Sequence, residues 1–309
     1  MKKSILLYVI KRAALMSVFA LTMSACISCG GGEETVESSS TPESSKPTFT
    51  VRDDNNLIPD ENALEEGEYT DGEFIYYISN NNASIVGYIG NKKQVEIPSS
   101  VDDIPVTAIS DNGFADISTI ESIKVPSSVA NIGSFAFSYC TGLKTIELPS
   151  NLVTLGSYAF NHCTSLESCM IPDSVSNLPQ SVFYYCESLK EVSLPKYLGG
   201  IPKETFFYCT SLEEFTIPEF ATGVGDYAFT GCSSLKKINC GETLATIGKE
   251  SFRYCTAIQT LDFSKCKSIG IGSKSFANCT SLKKVIYPAE KGASGDAFTG
   301  CDNIEFVNG

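Results

Sequence analysis

The sequence has no tryptophan and a single histidine, His162, in 309 residues. Any chemistry that needs an imidazole base has only that one to use. Positive charge is scarce: 23 Lys and Arg against 36 Asp and Glu leave a formal −13. This argues against nucleic acid as a partner, because its phosphates reward Lys and Arg. Catalytic signatures are missing: there is no G-x-S-x-G turn, no phosphate-cradling glycine loop and no H-E-x-x-H helix. Cysteine, by contrast, is abundant, with 13 copies. In an exported chain such a count first suggests disulfides.

The N-terminus carries export chemistry. Lys2, Lys3, Lys11 and Arg12 form a positive region, "AALMSVFAL" (13–21) is a short apolar stretch, and "TMSAC" sets Ser24 and Ala25 before Cys26. The stretch is too short and wrongly flanked for a membrane-spanning helix. It resembles a bacterial lipoprotein signal, with "MSAC" as the lipobox, Met23 departing from the usual Leu, and Cys29 as a weaker rival acceptor. That resemblance implies removal of residues 1–25 and lipidation of Cys26, an anchor to the bacterial outer membrane or cell surface. An ordinary cleaved secretory signal is the competing reading.

Residues 30–71 hold 12 acidic side chains against Lys46 and Arg52, a net −10, and are rich in Gly, Ser and Pro. Such a segment buries too little apolar surface to offset its ordering entropy, so 26–71 is expected to be the lipid anchor plus a disordered acidic tether.

From about residue 107 to 309 the chain repeats itself. Cysteines stand at 140, 163, 186, 209, 232, 255, 279 and 301, in steps of 23, 23, 23, 23, 23, 24 and 22. A phenylalanine precedes each by three positions and an aliphatic follows by three, and an earlier copy has Phe114, Ile117 and Ile120. Nine copies at a fixed period of this size indicate a solenoid. "LKTIELP" (143–149) alternates like a strand and ends at a proline. In "GSYAFNHC" the Phe and Cys, three apart, share one face of a helical or 3-10 turn. The expected architecture is an α/β solenoid of about nine 23-residue repeats, with a parallel sheet on one face and short helical turns on the other. Stacking closes the core, since no copy can bury its Phe, Cys and Leu alone.

"LKTIELPSNLVTLGSYAFNHCTSL" (143–166) resembles the BspA-like class of leucine-rich repeat, a right-handed array. Residues 72–106 look like that family's opening segment and are expected to form a β-hairpin around "NNNA" that caps the first strand edge. Gly241 and Ser264 depart from the pattern by replacing its proline.

The repeat disposes of the conspicuous His-Cys pair. The position before each cysteine holds Tyr139, His162, Tyr185, Tyr208, Gly231, Tyr254, Asn278 and Gly300, so His162 is one variant in a structural column. The cysteines form an inward line, which cannot supply the tetrahedral convergence that zinc needs. Disulfides between neighbouring turns fit the ~5 Å Cα spacing, but parallel side-chain vectors oppose bridging and Ile117 fills the same position. Free buried thiols are the expectation. No catalytic residue, metal ligand or cofactor is assigned, and the chain is not read as an enzyme.

Function then falls to positions that differ between copies. On the sheet face these are Glu147, Met170, Glu191, Ser193, Glu214, Thr216, Lys237, Asn239, Asp262 and Lys284, within columns that end at Phe306 and Asn308. They suit a concave protein-binding surface, against the competing reading of a plain solvated face. Tyr139, His162, Tyr185, Tyr208 and Tyr254 form an aromatic row that suits sugar stacking or, as the competing reading, merely seals the outer wall. The family resemblance implies a cell-surface protein that adheres to host or neighbouring-cell proteins. The alternative is a glycan-capturing accessory lipoprotein.

Overall fold

A computed structural model describes residues 67–288 and 290–308. The expected leader (1–25), the acceptor Cys26 with its rival Cys29, and the spacer as far as residue 66 lie outside the described residues. The last stretch assigned to the spacer contains strand β1 (Glu68–Thr70), which pairs antiparallel with β2 (Phe74–Ser79). A hairpin joins β2 to β3 (Asn82–Tyr88) through Asn80 and Asn81, at φ 50° and 59°. Two left-handed residues in a two-residue loop are what a type I′ turn requires.

β4 (Gln94–Glu96) starts the main parallel ladder, while β5 (Ser100–Val101) and β6 (Ile104–Ile109) form a second antiparallel pair. The main ladder continues through β7 (Ser122–Lys124), β9 (Thr145–Glu147), β11 (Ser168–Met170) and β12 (Glu191–Ser193). It resumes as β13 (Glu214–Thr216) with β15 (Lys237–Asn239), then as β17 (Thr260–Asp262), β19 (Lys284–Tyr287) and β21 (Glu305–Asn308).

A second parallel ladder runs beside it, and the sequence pattern did not disclose it as strand. β3, β6, β8 (Asn131–Ile132) and β10 (Thr154–Leu155) are its first part. β14 (Gly223–Val224), β16 (Thr246–Ile247), β18 (Ser268–Ile271) and β20 (Glu290–Ala293) are its second. A glycine follows several of these strands because the coils nearly touch there: a Cβ on Gly156 would run into the backbone nitrogen of Ser134.

The third side corrects the expectation of helical turns. Among the described residues there is no helix, and the architecture is a β-solenoid of about ten coils rather than an α/β one. From Asn112 to Asn278 each coil instead carries two left-handed residues four positions apart, among them Phe135 and Tyr139 at φ 55° and 58°, Tyr158 and His162 at 57° and 55°, Glu204 and Tyr208 at 56° and 57°. A left-handed residue cannot continue a right-handed helix. The N–H groups are shared between two directions instead. Those of Phe135, Phe137 and Tyr139 reach the next coil at Ser157, Ala159 and Asn161 (2.9, 2.9 and 2.7 Å), while those of Ser138 and Cys140 close local turns onto Phe135 and Phe137. The result is a third seam of inter-coil hydrogen bonds.

Between the seams lies the core. Phe114, Phe137, Phe160, Phe183, Phe206, Phe229, Phe252, Phe276 and Phe298 stack ring on ring at 4.9–5.5 Å. Each such pair contributes roughly 0.5–1.5 kcal/mol beyond area burial.

Candidate functional site

On the outer face of the main ladder, Glu147, Met170, Glu191, Ser193, Glu214, Thr216, Lys237 and Asp262 are exposed, and Asn239 and Lys284 are half-buried. Four of them form one network across β13 and β15. Lys237 Nζ lies 3.0 Å from Glu214 Oε1, and Asn239 Nδ2 donates to Glu214 Oε1 (2.7 Å) and Thr216 Oγ1 (3.1 Å). The Asn239 and Lys237 donors hold the Glu214 carboxyl below its ordinary range.

Charges pair coil to coil beside this face. Glu121 sits between Lys93 (2.6 Å) and Lys144 (2.8 Å), Glu167 meets Lys190 (3.3 Å), and Glu213 meets Lys236 (2.8 Å). Hydrogen bonds from Lys144 and Lys93 hold the Glu121 carboxyl down at about 2.

The expected columns slip by one in the last copy. Lys284 is opposite Glu305, Val285 opposite Phe306 and Tyr287 opposite Asn308. Phe306 therefore falls in register with the buried Val285, edge-on to Phe298 at 5.5 Å while remaining exposed itself, because the last cysteine step is 22 residues and the strand starts one residue early.

The face is not continuous. Between β12 and β13 no pairing joins the two strands, and a groove of about 560 Å³ opens there. Glu191, Ser193, Glu214 and Thr216 line it, with Val192 and Leu194 half-buried at its floor. The equivalent Ile146 and Cys169 are buried. The next coil brings Phe215 into the inward row, its ring wedged against Phe206 (5.1 Å) and Phe229 (4.9 Å). The ladder opens at the step where this bulky ring follows the smaller Val192.

Lys196 and Glu219 also line the groove, and the residue after each is an exposed aromatic. Tyr197 (68% exposed) and Phe220 (44%) stack at 5.2 Å, with Lys196 Nζ 5.5 Å from the Tyr197 ring centre. Met170, 74% exposed, lies in register with Ser193 one coil away. Sequence reasoning missed Tyr197 and Phe220. The signal was present: the second residue after the proline is Ser128, Asn151 and Ser174 in earlier copies, then aromatic in two successive ones.

The aromatic row is assembled differently from a sugar platform. His162 is sandwiched between Tyr139 (4.4 Å, 10°) and Tyr185 (4.8 Å, 10°), and Tyr185 stacks on Tyr208 (5.0 Å, 5°). The ring faces are turned to each other, leaving mainly edges and hydroxyls outward. Tyr254 stands apart, with the Arg253 guanidinium 4.6 Å over its ring. Asn161 Nδ2 donates to Ser138 Oγ (2.9 Å), and Asn161 Oδ1 lies 2.6 Å from His162 Nδ1. Burial lowers the His162 pKa.

All eleven cysteines among the described residues are free thiols. Each column member donates its S–H to the Phe carbonyl one coil earlier, as Cys140 to Phe114 (3.0 Å) and Cys186 to Phe160 (3.1 Å). Burial pushes the thiols of Cys163, Cys186, Cys209, Cys232 and Cys255 up, and that of Cys140 to about 12. Among the described residues no three His, Cys, Asp or Glu side chains converge on a metal position.

Comparison with known proteins gives a consistent picture. The family model described as the BspA type leucine rich repeat region matches in six copies, over residues 107–220 and 199–309. The T. pallidum leucine rich repeat protein TpLRR is 30% identical at a TM-score of 0.57, with 62% of this chain and 90% of that one covered. A leucine-rich repeat protein from Bacteroides ovatus ATCC 8483 is 23% identical at a TM-score of 0.55, with 78% of each chain covered. No curated protein matches the chain.

Proposed function

The chain belongs to the BspA-type leucine-rich repeat family, and we propose from that membership that it is a lipid-anchored surface protein that binds other proteins through its main sheet face. The observation that carries this reading is the groove between β12 and β13, with the exposed Tyr197–Phe220 pair beside it. Exposed, stacked aromatics beside a half-buried apolar floor have the composition of an interface centre, where Tyr and other large side chains dominate binding energy. Polar and charged side chains surround them, as in the rim of a protein interface. Among the described residues, no lysine or arginine lies within ion-pair distance of Glu191 or Glu219, so the groove favours a partner surface carrying basic groups.

Cys26 as the lipidated residue and the acidic segment after it would hold and extend the solenoid from a membrane, with adhesion to host or neighbouring-cell proteins as the outcome. The test uses liposomes bearing the full-length lipoprotein, applied to immobilised host matrix proteins and to a surface-glycan array. Tyr197→Ala with Phe220→Ala, and separately Glu191→Lys with Glu214→Lys, should each weaken protein capture ~10-fold or more. Replacing the row Tyr139, Tyr185, Tyr208 and Tyr254 by Ser should leave capture within a few fold. If only the Ser set abolishes attachment, and the attachment is to glycans, the protein-binding reading is wrong.

A further inference from the structure

We propose that Cys240 and Cys266 are an oxidation site, the pair of described cysteines that closes to an intrachain disulfide. Their Sγ atoms lie 3.9 Å apart, in hydrogen-bond contact with each other. Neither belongs to the column of thiols tied to Phe carbonyls: Cys240 Sγ is 3.2 Å from the Asp262 carbonyl and Cys266 Sγ is 3.6 Å from that of Gly241. Cys240 is half-buried and reachable from solvent, whereas Cys140, Cys163, Cys186, Cys209, Cys232 and Cys255 are fully buried.

Their place in the fold gives the pair a purpose. Cys240 follows β15, and Cys266 lies in the loop after β17. These are the two strands across the ladder's second gap, where no pairing is formed. In these two coils the proline that ends the strand elsewhere is replaced by Gly241 and Ser264. The connection therefore lacks both the strand pairing and the fixed backbone angle that its counterparts have. A covalent bond between adjacent coils would restore the missing link and restrict the unfolded chain.

The chemistry divides between the two sulfurs. Hydrogen bonding from Cys266, helped by Lys265, holds the Cys240 thiol below its ordinary value, while the same contact and burial raise that of Cys266. Cys240 is the attacking thiolate and Cys266 the resolving thiol. The oxidant is a disulfide, carried by a small molecule or by a thiol–disulfide oxidoreductase. Cys240 attacks one of its sulfurs and releases one thiol. Cys266 then loses its proton, attacks the Cys240 sulfur and releases the second. Two protein thiols become one disulfide as the oxidant's disulfide becomes two thiols. The inference draws on the exported reading only for where the oxidant is met.

The test is run in solution on the full-length chain. After exposure to glutathione disulfide, free thiols are blocked with N-ethylmaleimide and the chain is cut with trypsin without reductant. The expected product is the peptide of residues 238–249 joined to that of 266–267, lighter than the sum of the two by two hydrogens. It should be absent from Cys240→Ser and Cys266→Ser, and the Cys266→Ser chain should keep glutathione on Cys240. Oxidation should raise the Tm by ~5 °C, reversed by dithiothreitol. If wild type accumulates glutathione on Cys240 without closing, or the buried column cysteines Cys140 to Cys255 oxidise first, or neither peptide changes, the proposal fails. Whether protein capture works has no bearing on these outcomes.

Discussion

The thiol of Cys163 donates to the carbonyl oxygen of Phe137 at 3.1 Å, and that oxygen also accepts the N–H of Cys140 at 3.1 Å. One carbonyl thus closes the turn of its own coil and receives the sulfur of the next. The relation recurs at each later column cysteine from Cys186 to Cys301, which gives the cysteine column a role beyond volume. A weak donor that is also a compact hydrophobe satisfies a carbonyl inside an apolar core.

Native labelling should therefore separate the cysteines. With iodoacetamide at pH 8, Cys163, Cys186, Cys209 and Cys232 should stay unmodified for hours, since burial raises their pKa. Cys240 and the half-buried Cys301, lowered to about 7 by the hydrogen bond from Cys279, should react within minutes. Cys186→Ala should cost roughly 1–2 kcal/mol in denaturant unfolding. Rapid native labelling of Cys186 would refute the arrangement.

Period, core and main-ladder strands were legible because each leaves a side-chain signature every 23 residues, with Phe, Cys and Leu inward and alternating residues on the strand. The left-handed turns were not, because ordinary side chains such as Phe135, Tyr158 and Glu204 occupy them. The clue lay in the column that admits Gly231, Asn278 and Gly300, residues that tolerate positive φ. The second ladder was hidden because strands as short as Thr154–Leu155 show no alternation. The groove was hidden because the 23-residue spacing runs through it unchanged.

The left-handed column makes its own prediction at Tyr208, φ 57°. Tyr208→Asn and Tyr208→Val both remove the stack on Tyr185, but only valine adds a β-branched side chain in a conformation it resists. The valine variant should be the less stable by ~1–2 kcal/mol, measured by urea denaturation. Equal losses would show that the backbone at this position relaxes.

If Phe215 holds the groove open, a smaller residue should close it. In Phe215→Ile the Leu194 N–H should find the Thr216 carbonyl, as Ile217 finds Asn239 one coil later at 2.9 Å. Amide exchange at Leu194 should slow at least ~10-fold, and protein capture should fall with it. Unchanged exchange at Leu194 would assign the gap to some cause other than the ring.

His162 tests the stack through pH. Burial holds its folded pKa below the free value of 6.5, so the unfolded chain takes up its proton first as pH drops. Below about pH 6.5 the unfolded state binds more protons than the native one, and this residue's contribution to stability declines until the native imidazole also protonates. His162→Tyr restores the residue that neighbouring copies carry and has no charge to gain in this range. Denaturant midpoints at pH 8, 7, 6 and 5 should fall more steeply for wild type than for the variant, with the two diverging only below pH 7. Parallel falls would mean that His162 is as solvated in the coil as in the unfolded chain, which its two stacked tyrosines at 4.4 and 4.8 Å argue against.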